Sequence, residues 1–324
     1  MKAISIEGSG KDARLVLGET AEPEPSEHDV VIEIAATAVN RADLLQRQGL
    51  YPPPPGASPV LGLECAGTVS ACGSEVRGLV PGDRVMALLA GGGYAERTAV
   101  HAGSVMPIPE NLDFDQAAAV PEVFLTCHLN LFQLADLPTG GWALVHGGGS
   151  GIGTAAIQLI RAAGARVIVT AGSDAKCARC LELGADEAIN YRQGEFAERV
   201  TERSGGGVDV VLDSIGAPYL AQHLKCLAIG GRLVLIGLMG GARTEVNLGL
   251  VVAKRLQVIG STLRARPAGE KAEIVRGFVE RFGGALASGD IRPVVDRVLP
   301  LEKAQEAHDL LQSSEHFGKV VLRV

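Results

Sequence analysis

No apolar run in this 324-residue chain approaches the ~20 residues needed to cross a bilayer as a helix. The opening stretch, MKAISIEGSGKDARL, shows no charged segment followed by an apolar core, so a soluble, cytoplasmic protein is expected. Positive charge is not in excess either: 30 Lys and Arg against 37 Asp and Glu leave a net charge of −7. That balance gives no electrostatic reason to expect nucleic acid or an anionic membrane as partner. Aromatic residues are scarce at 4%, whereas glycines number 42, which suits an α/β protein with many tight turns better than a helical bundle. The six cysteines are scattered through a chain long enough to fold without staples, and reduced thiols are expected. Cys177 and Cys180 form a C-x-x-C pair inside a helical stretch with no second pair at ligand spacing, which favours a helix face over a zinc or redox site. The seven histidines show no H-x-x-x-H spacing and are read as structural.

What is present is two textures. A hydrophobic fraction of 47% supports substantial cores, and the length points to two domains. Up to about residue 120 the chain reads as short strand-like segments broken by turns, such as DVVIEIAATAV (29–39), LGLECAGTVSAC (61–72) and PGDRVMALL (81–89). YPPPPGASP (51–59) reads as a stiff surface loop, since proline cannot join a sheet interior. From about 140 onward, continuous apolar strands alternate with amphipathic helices, the pattern of a parallel sheet covered on both faces. The terminal GKVVLRV has no place in that six-stranded sheet and is expected to return to the first domain.

LVHGGGSGIGTAAIQLI (144–160) runs from strand through glycine turn to helix. It nearly spells the dinucleotide fingerprint G-x-G-x-x-G, with Gly148 and Gly153 as first and last glycines and Ser150 replacing the second. Serine is small and brings a hydroxyl donor, while Gly151 beside it restores freedom. A helix beginning at about Gly151 aims its free N–H groups and positive dipole end at a pyrophosphate.

The end of the second strand decides the nucleotide. An NAD site places an acid there for the ribose 2′-hydroxyl. This chain has TAGS (170–173) instead, so Gly172, Ser173 and Lys176 are assigned to the cofactor, with Ser173 donating to a 2′-phosphate and Lys176 neutralising it. Asp174 lies past the strand end and suits a helix first turn. Tyr191, after the third strand, is expected to cover the adenosine phosphate from the other side. NADPH is therefore the expected cofactor.

These features, with NRADLLQRQGLYPPPPGASPVLGLE, AAAVPEVFLT, IGLMGG and the terminal GKVVL, resemble the medium-chain dehydrogenase/reductase superfamily across nearly the whole chain. The resemblance is to its zinc-free quinone oxidoreductase branch, in particular the tumour-suppressor-inducible type. It implies a Rossmann-type doubly wound parallel sheet at 123–263 and a β-rich GroES-like catalytic domain at 1–122 and 264–324. Zinc members carry Cys in a C-x-x-D motif and His in G-H-E; here Asn40 precedes a retained Asp43, and Leu63 stands in GLE. The four clustered cysteines of a structural zinc lobe are missing, so no metal is expected. Glu64 and Glu122 remain nearby by resemblance, a poor zinc site alone.

Without a Lewis acid an alcohol is hard to oxidise, which favours an acceptor that takes hydride readily. The expected activity is zinc-independent hydride or electron transfer from NADPH to a small quinone. Positioning over the nicotinamide and polar groups for a developing oxyanion are then the protein's contribution. The catalytic candidates are Asn40 as amide donor, Tyr51 as stacking ring and hydroxyl donor, and Asp43 as the residue that orders the loop; water is a possible proton source. The alternative for Tyr51 is packing against the polyproline run. By resemblance, cofactor contacts also fall on Thr126, Ile152, Gly237, Leu238, Met239, Ser261, Thr262, Leu263, Arg264 and Lys319, although Leu238 and Met239 also suit a core. The resemblance implies a homodimer paired along the cofactor-domain edge. Two other readings stand beside this one: a double-bond reductase of enones, enals or enoyl thioesters with Tyr51 as proton donor, and an NADPH-binding sensor without turnover.

Overall fold

The structure is a computed structural model describing residues 1–324. It divides into two compact units, one of Met1–Leu125 with Leu263–Val324 and one of Thr126–Thr262.

The Thr126–Thr262 unit is built on six parallel strands: Trp142–His146, Arg166–Ala171, Glu187–Asn190, Val208–Asp213, Leu227–Leu235 and Gln257–Gly260. Numbered along the chain, they lie side by side as 3-2-1-4-5-6. This is the doubly wound order, whose direction reverses between the first and fourth strands. The first strand is buried along its whole length, which is why it reads as an unbroken apolar run rather than an alternation. The helix Gly151–Ala162 packs Ala155, Ala156, Ile157, Leu159 and Ile160 inward. Helix Asp174–Leu183 buries Cys177 and Cys180, and burial pushes the Cys180 thiol up to about 12. Thiols so placed are core residues rather than nucleophiles.

The other unit carries a seven-stranded sheet. Its order is Val295–Pro300, Lys319–Arg323, Asp29–Ala38, Glu64–Cys72, Arg84–Leu88 and Val105–Pro107, with Arg97–His101 also paired to Asp29–Ala38. The C-terminal strand runs antiparallel to Asp29–Ala38, with Val321 opposite Ala38. That register continues past the strand end, where Val39 N–H donates to Val320 O at 2.9 Å. Lys319 is thereby brought beside Asn40, which caps the short helix Arg41–Arg47. Glu64 opens the neighbouring strand. Three strand ends thus converge on one spot. Helix Ala268–Ser288 packs Phe278 edge-on against Phe124, ring centroids 6.2 Å apart.

Candidate functional site

The glycine loop is assembled from close approach. A Cβ on Gly153 would sit 2.3 Å from Gly147 O and 2.5 Å from Gly148 Cα, so only glycine fits where the helix passes the turn. A Cβ on Gly148 would meet Val169 and Cys180 at under 3 Å. Gly147, with φ of 72°, makes the turn itself. Ser150 is the N-cap of Gly151–Ala162: its Oγ accepts from Gly153 N–H at 3.0 Å. The hydroxyl hydrogen stays available to a phosphate, so capping is added to the donor role read from sequence. The loop presents a helix N-terminus to the carboxyl end of the first strand, which fits a dinucleotide pyrophosphate.

Around the second strand end, Ser173 caps helix Asp174–Leu183, accepting from Lys176 N–H at 3.2 Å. Asp174 turns to Asn190 and Gln193, whose amides donate to its carboxylate at 2.8 and 2.9 Å. Its charge is thus satisfied within the protein. Tyr191 is 40% exposed, and a Cβ on Gly172 would lie 2.8 Å from its hydroxyl, so ring and turn are neighbours as the cofactor assignment requires. Leu238 and Met239 are about half exposed and therefore not core. Gly237 lies against Ser214, and Met239 N–H donates to Ser214 O at 3.0 Å, tying the loops after the fourth and fifth strands together. Ile152 sits in the first turn of the glycine-loop helix. Thr126 O accepts from the Asn130 amide at 2.7 Å. Ser261 and Thr262 follow the sixth strand, with Ser261 Oγ buried and unpaired.

Sequence spacing gave no hint of a buried chain beneath these loops. Thr170 Oγ1 lies 2.8 Å from His146 Nδ1, and His146 Nε2 lies 2.7 Å from His223 Nε2. His223 Nδ1 in turn faces Asp213 Oδ2 at 3.9 Å. Burial holds both imidazoles below their ordinary range, His223 at about 3, so they are neutral. Burial also raises Asp213 to about 6, although its carboxylate accepts from Ile215 and Gly216 N–H at 2.7 and 2.9 Å. His223 meets His146 through Nε2 and faces Asp213 through Nδ1, and one ligand atom from each of the three lies within 4.8 Å of the other two. One member each comes from the first and fourth strands and one from a helix; only the fold makes them neighbours.

The other unit holds the second constellation. Lys319 Nζ donates to Val39 O at 3.1 Å, Asn40 Oδ1 at 2.7 Å and Glu64 Oε1 at 2.7 Å. Asn40 Nδ2 donates to Glu64 Oε1 at 2.8 Å and to Ala38 O at 3.2 Å. Glu64 Oε2 accepts from Glu122 N–H at 2.8 Å. Asp43, wholly buried, accepts from Asn40 N–H at 2.8 Å, Gly62 N–H at 3.3 Å and the Tyr94 hydroxyl at 3.3 Å. It ties the Asn40 and Gly62 backbones and the Tyr94 hydroxyl to one carboxyl group. Burial lifts its carboxyl to about 6 against the opposing pull of those donors.

Three of the assigned residues are engaged within their own unit. Lys319, assigned to the cofactor by resemblance, directs its three donors to Val39, Asn40 and Glu64. Asn40 offers no free amide hydrogen, because both point to Glu64 and Ala38. Arg264, assigned to the cofactor by resemblance, is engaged as well. It is 3% exposed and donates through Nε to Ala90 O at 2.8 Å and through its terminal nitrogens to Gln46 Oε1 at 2.6 Å and Tyr51 O at 3.3 Å. Leu263, also assigned to the cofactor, is buried in the same unit as Arg264. The Arg264 guanidinium lies 5.2 Å from the Tyr51 ring centroid, so that ring packs on a cation.

The chain matches the family described as zinc-binding dehydrogenase over residues 151–278 and the alcohol dehydrogenase GroES-like domain over residues 26–110. It is 32% identical to a quinone oxidoreductase of Rattus norvegicus, over 99% of this chain and 97% of that one. Among solved structures it is similar to a quinone oxidoreductase of Escherichia coli complexed with NADPH, at 32% identity and a TM-score of 0.86, covering 100% of this chain and 99% of that one. It is also similar to an NAD-dependent alcohol dehydrogenase at 34% identity and a TM-score of 0.83, covering 100% of both. The zinc in the first family description does not fit the residues present. Leu63 offers no donor, and an ammonium already sits 2.7 Å from both Asn40 and Glu64. With similarity running through both units and over nearly the full length of its relatives, the chain belongs to the medium-chain dehydrogenase/reductase superfamily, as an oxidoreductase homologous to its quinone oxidoreductases.

Proposed function

We propose that the protein is a zinc-independent NADPH:quinone oxidoreductase. The observation that carries this reading is the Asn40–Glu64–Lys319 cluster. A lysine ammonium fills the place where a Lewis acid would be needed to activate an alcohol, so the substrate must accept hydride without one. Quinones do so because their reduction restores aromaticity. Bound NADPH supplies the hydride. Gly148, Ser150, Gly151, Ile152 and Gly153 hold the pyrophosphate, and Gly172, Ser173, Lys176 and Tyr191 hold the 2′-phosphorylated adenosine. Thr126, Gly237, Leu238, Met239, Ser261 and Thr262 complete the cofactor contacts. Tyr51 stacks on the acceptor, its orientation set by Arg264. Asn40 and Asp43 act by holding the loop around Glu64.

The protein works as a homodimer joined along Gln257–Gly260, the last strand of its sheet, near which Val252, Val258 and Ile229 are exposed. Sedimentation at micromolar concentration checks this: a monomer is the contrary result.

The deciding experiment is the initial rate of NADPH oxidation with an ortho-quinone, a para-quinone and an enone, with NADH in parallel. Quinone-dependent turnover favouring NADPH supports the reading. Turnover with the enone alone replaces it by double-bond reduction, and NADPH binding without turnover replaces it by the sensor reading.

A further inference from the structure

Glu64 and Glu122 are neighbouring carboxyls treated in opposite ways. Both oxygens of Glu64 are engaged: Oε1 by Asn40 and Lys319, Oε2 by the Glu122 N–H. The Glu122 backbone is therefore fixed, while its side-chain Oε2 is buried with no hydrogen-bond partner. An ionised carboxylate in that position would lack the donors that Glu64 has, so the neutral acid is the form the geometry accommodates. A carboxylic acid parked beside a saturated ion pair, in the unit that carries Tyr51, has one obvious use in a reduction that needs a proton.

We propose that Glu122 is the general acid that protonates the oxygen of the acceptor as it is reduced. This rests on the quinone reading above. The quinone gains a hydride with its electron pair from NADPH, leaving NADP⁺, and becomes a hydroquinone anion. The O–H bond of the Glu122 carboxyl breaks, its proton joins the anionic oxygen, and the resulting carboxylate is reprotonated by water.

The surroundings set the acidity of the group. Burial, then the Glu64 charge, push the Glu122 carboxyl up to about 8, opposed by Lys319 and Lys271, while Asp43 pushes in the same direction as Glu64. Lys271 comes from helix Ala268–Ser288 and Asp43 from Arg41–Arg47. Arg264 and Tyr51 lie close enough to sense its charge. An acid poised near neutrality transfers its proton most effectively at physiological pH. Tyr51 is the weaker candidate, because burial raises its phenol above the ordinary value. Tyr51 keeps its proton and orients; Glu122 gives its proton up.

The test uses the full-length protein and two readouts. Infrared difference titration of wild type and Glu122→Gln reports the protonated-carboxyl C=O band without any turnover. Steady-state NADPH oxidation with a para-quinone, from pH 6 to 10, reports the reaction. The expected results are a band present at pH 7, lost near pH 8 and missing from Glu122→Gln. In the same variant kcat falls about 100-fold at pH 7, the KM for NADPH is unchanged and the alkaline limb of the wild-type profile disappears. Glu122→Asp restores part of the rate together with that limb. A Glu122→Gln rate within twofold of wild type, or no Glu122-dependent band at pH 7, overturns the acid role while leaving quinone reduction standing. A wild-type protein inert to every quinone, band or no band, overturns the quinone reading and the role with it.

Discussion

Lys319 Nζ lies 2.7 Å from Glu64 Oε1, with the two side chains 4% and 0% exposed. The pair is separated by 255 positions in sequence, and it joins the last strand of the chain to the centre of the GroES-like sheet. Three donors on Glu64 and three acceptors around Lys319 satisfy both charges, the condition under which a buried ion pair is tolerated.

Removing one partner is expected to be costly. Lys319→Met leaves Glu64 buried without its partner, and a loss of about 3–5 kcal/mol is expected. The Lys319→Met, Glu64→Leu double variant recovers much of it. Urea unfolding of both proteins decides: equal stability of single and double variants refutes the pairing energetics.

Gly153→Ala tests the glycine loop. The added methyl meets Gly147 O at 2.3 Å and Gly148 backbone at 2.5 Å, and neither can retreat without opening the turn. An overpacking cost of about 1–3 kcal/mol is expected. Fluorescence titration should show NADPH binding weakened more than the fold is destabilised. Unaltered affinity would mean that the loop does not hold the pyrophosphate.

Choice of nucleotide is tested by Lys176→Ala. Loss of one charge-assisted contact to the 2′-phosphate should weaken NADPH binding about tenfold and leave NADH unchanged. An equal effect on both cofactors argues that Lys176 serves only the helix. Ser173→Ala adds a capping loss of about 1 kcal/mol, visible in the melting temperature.

Asp213 and Asp43 give stability a pH dependence of unusual sign. Each has a folded-state value raised to about 6, above the range of an exposed aspartate. Between about pH 4 and 6 the folded chain therefore holds protons that the unfolded chain has released, so stability falls as pH rises through that window. Asp213→Asn removes its share of the slope. Urea midpoints at pH 4.5 and 7 should differ less in the variant than in wild type; an unchanged difference sinks the assignment.

Much of the cofactor unit is legible in the chain itself, because its signals are local. Apolar runs of strand length, helical periodicity and the Gly148–Gly153 turn depend on neighbours within a few residues, and backbone sterics enforce them. The same is true of the start of the helix at Gly151 and of the missing acid after the second strand. That the C-x-x-C pair lies on a helix face followed from helical spacing as well.

Side-chain partnership was decided elsewhere. Lys319 and Arg264 fall among the cofactor contacts by resemblance alone, because a lysine or arginine in sequence carries no mark of whether a carboxylate or carbonyl will meet it. The register of the final strand beside Asp29–Ala38 turned Lys319 inward, and Arg264 found its acceptors on Gln46, Tyr51 and Ala90. His146 and His223, 77 positions apart, looked like isolated structural histidines until strand and helix packing set their rings 2.7 Å apart. The sequence by itself determined the doubly wound sheet and the glycine turn, since these are written in short-range stereochemistry. Only the tertiary structure decided which buried charges neutralise one another and which carboxyl, Glu122, was left holding its proton, because burial and long-range proximity exist only once the chain has folded.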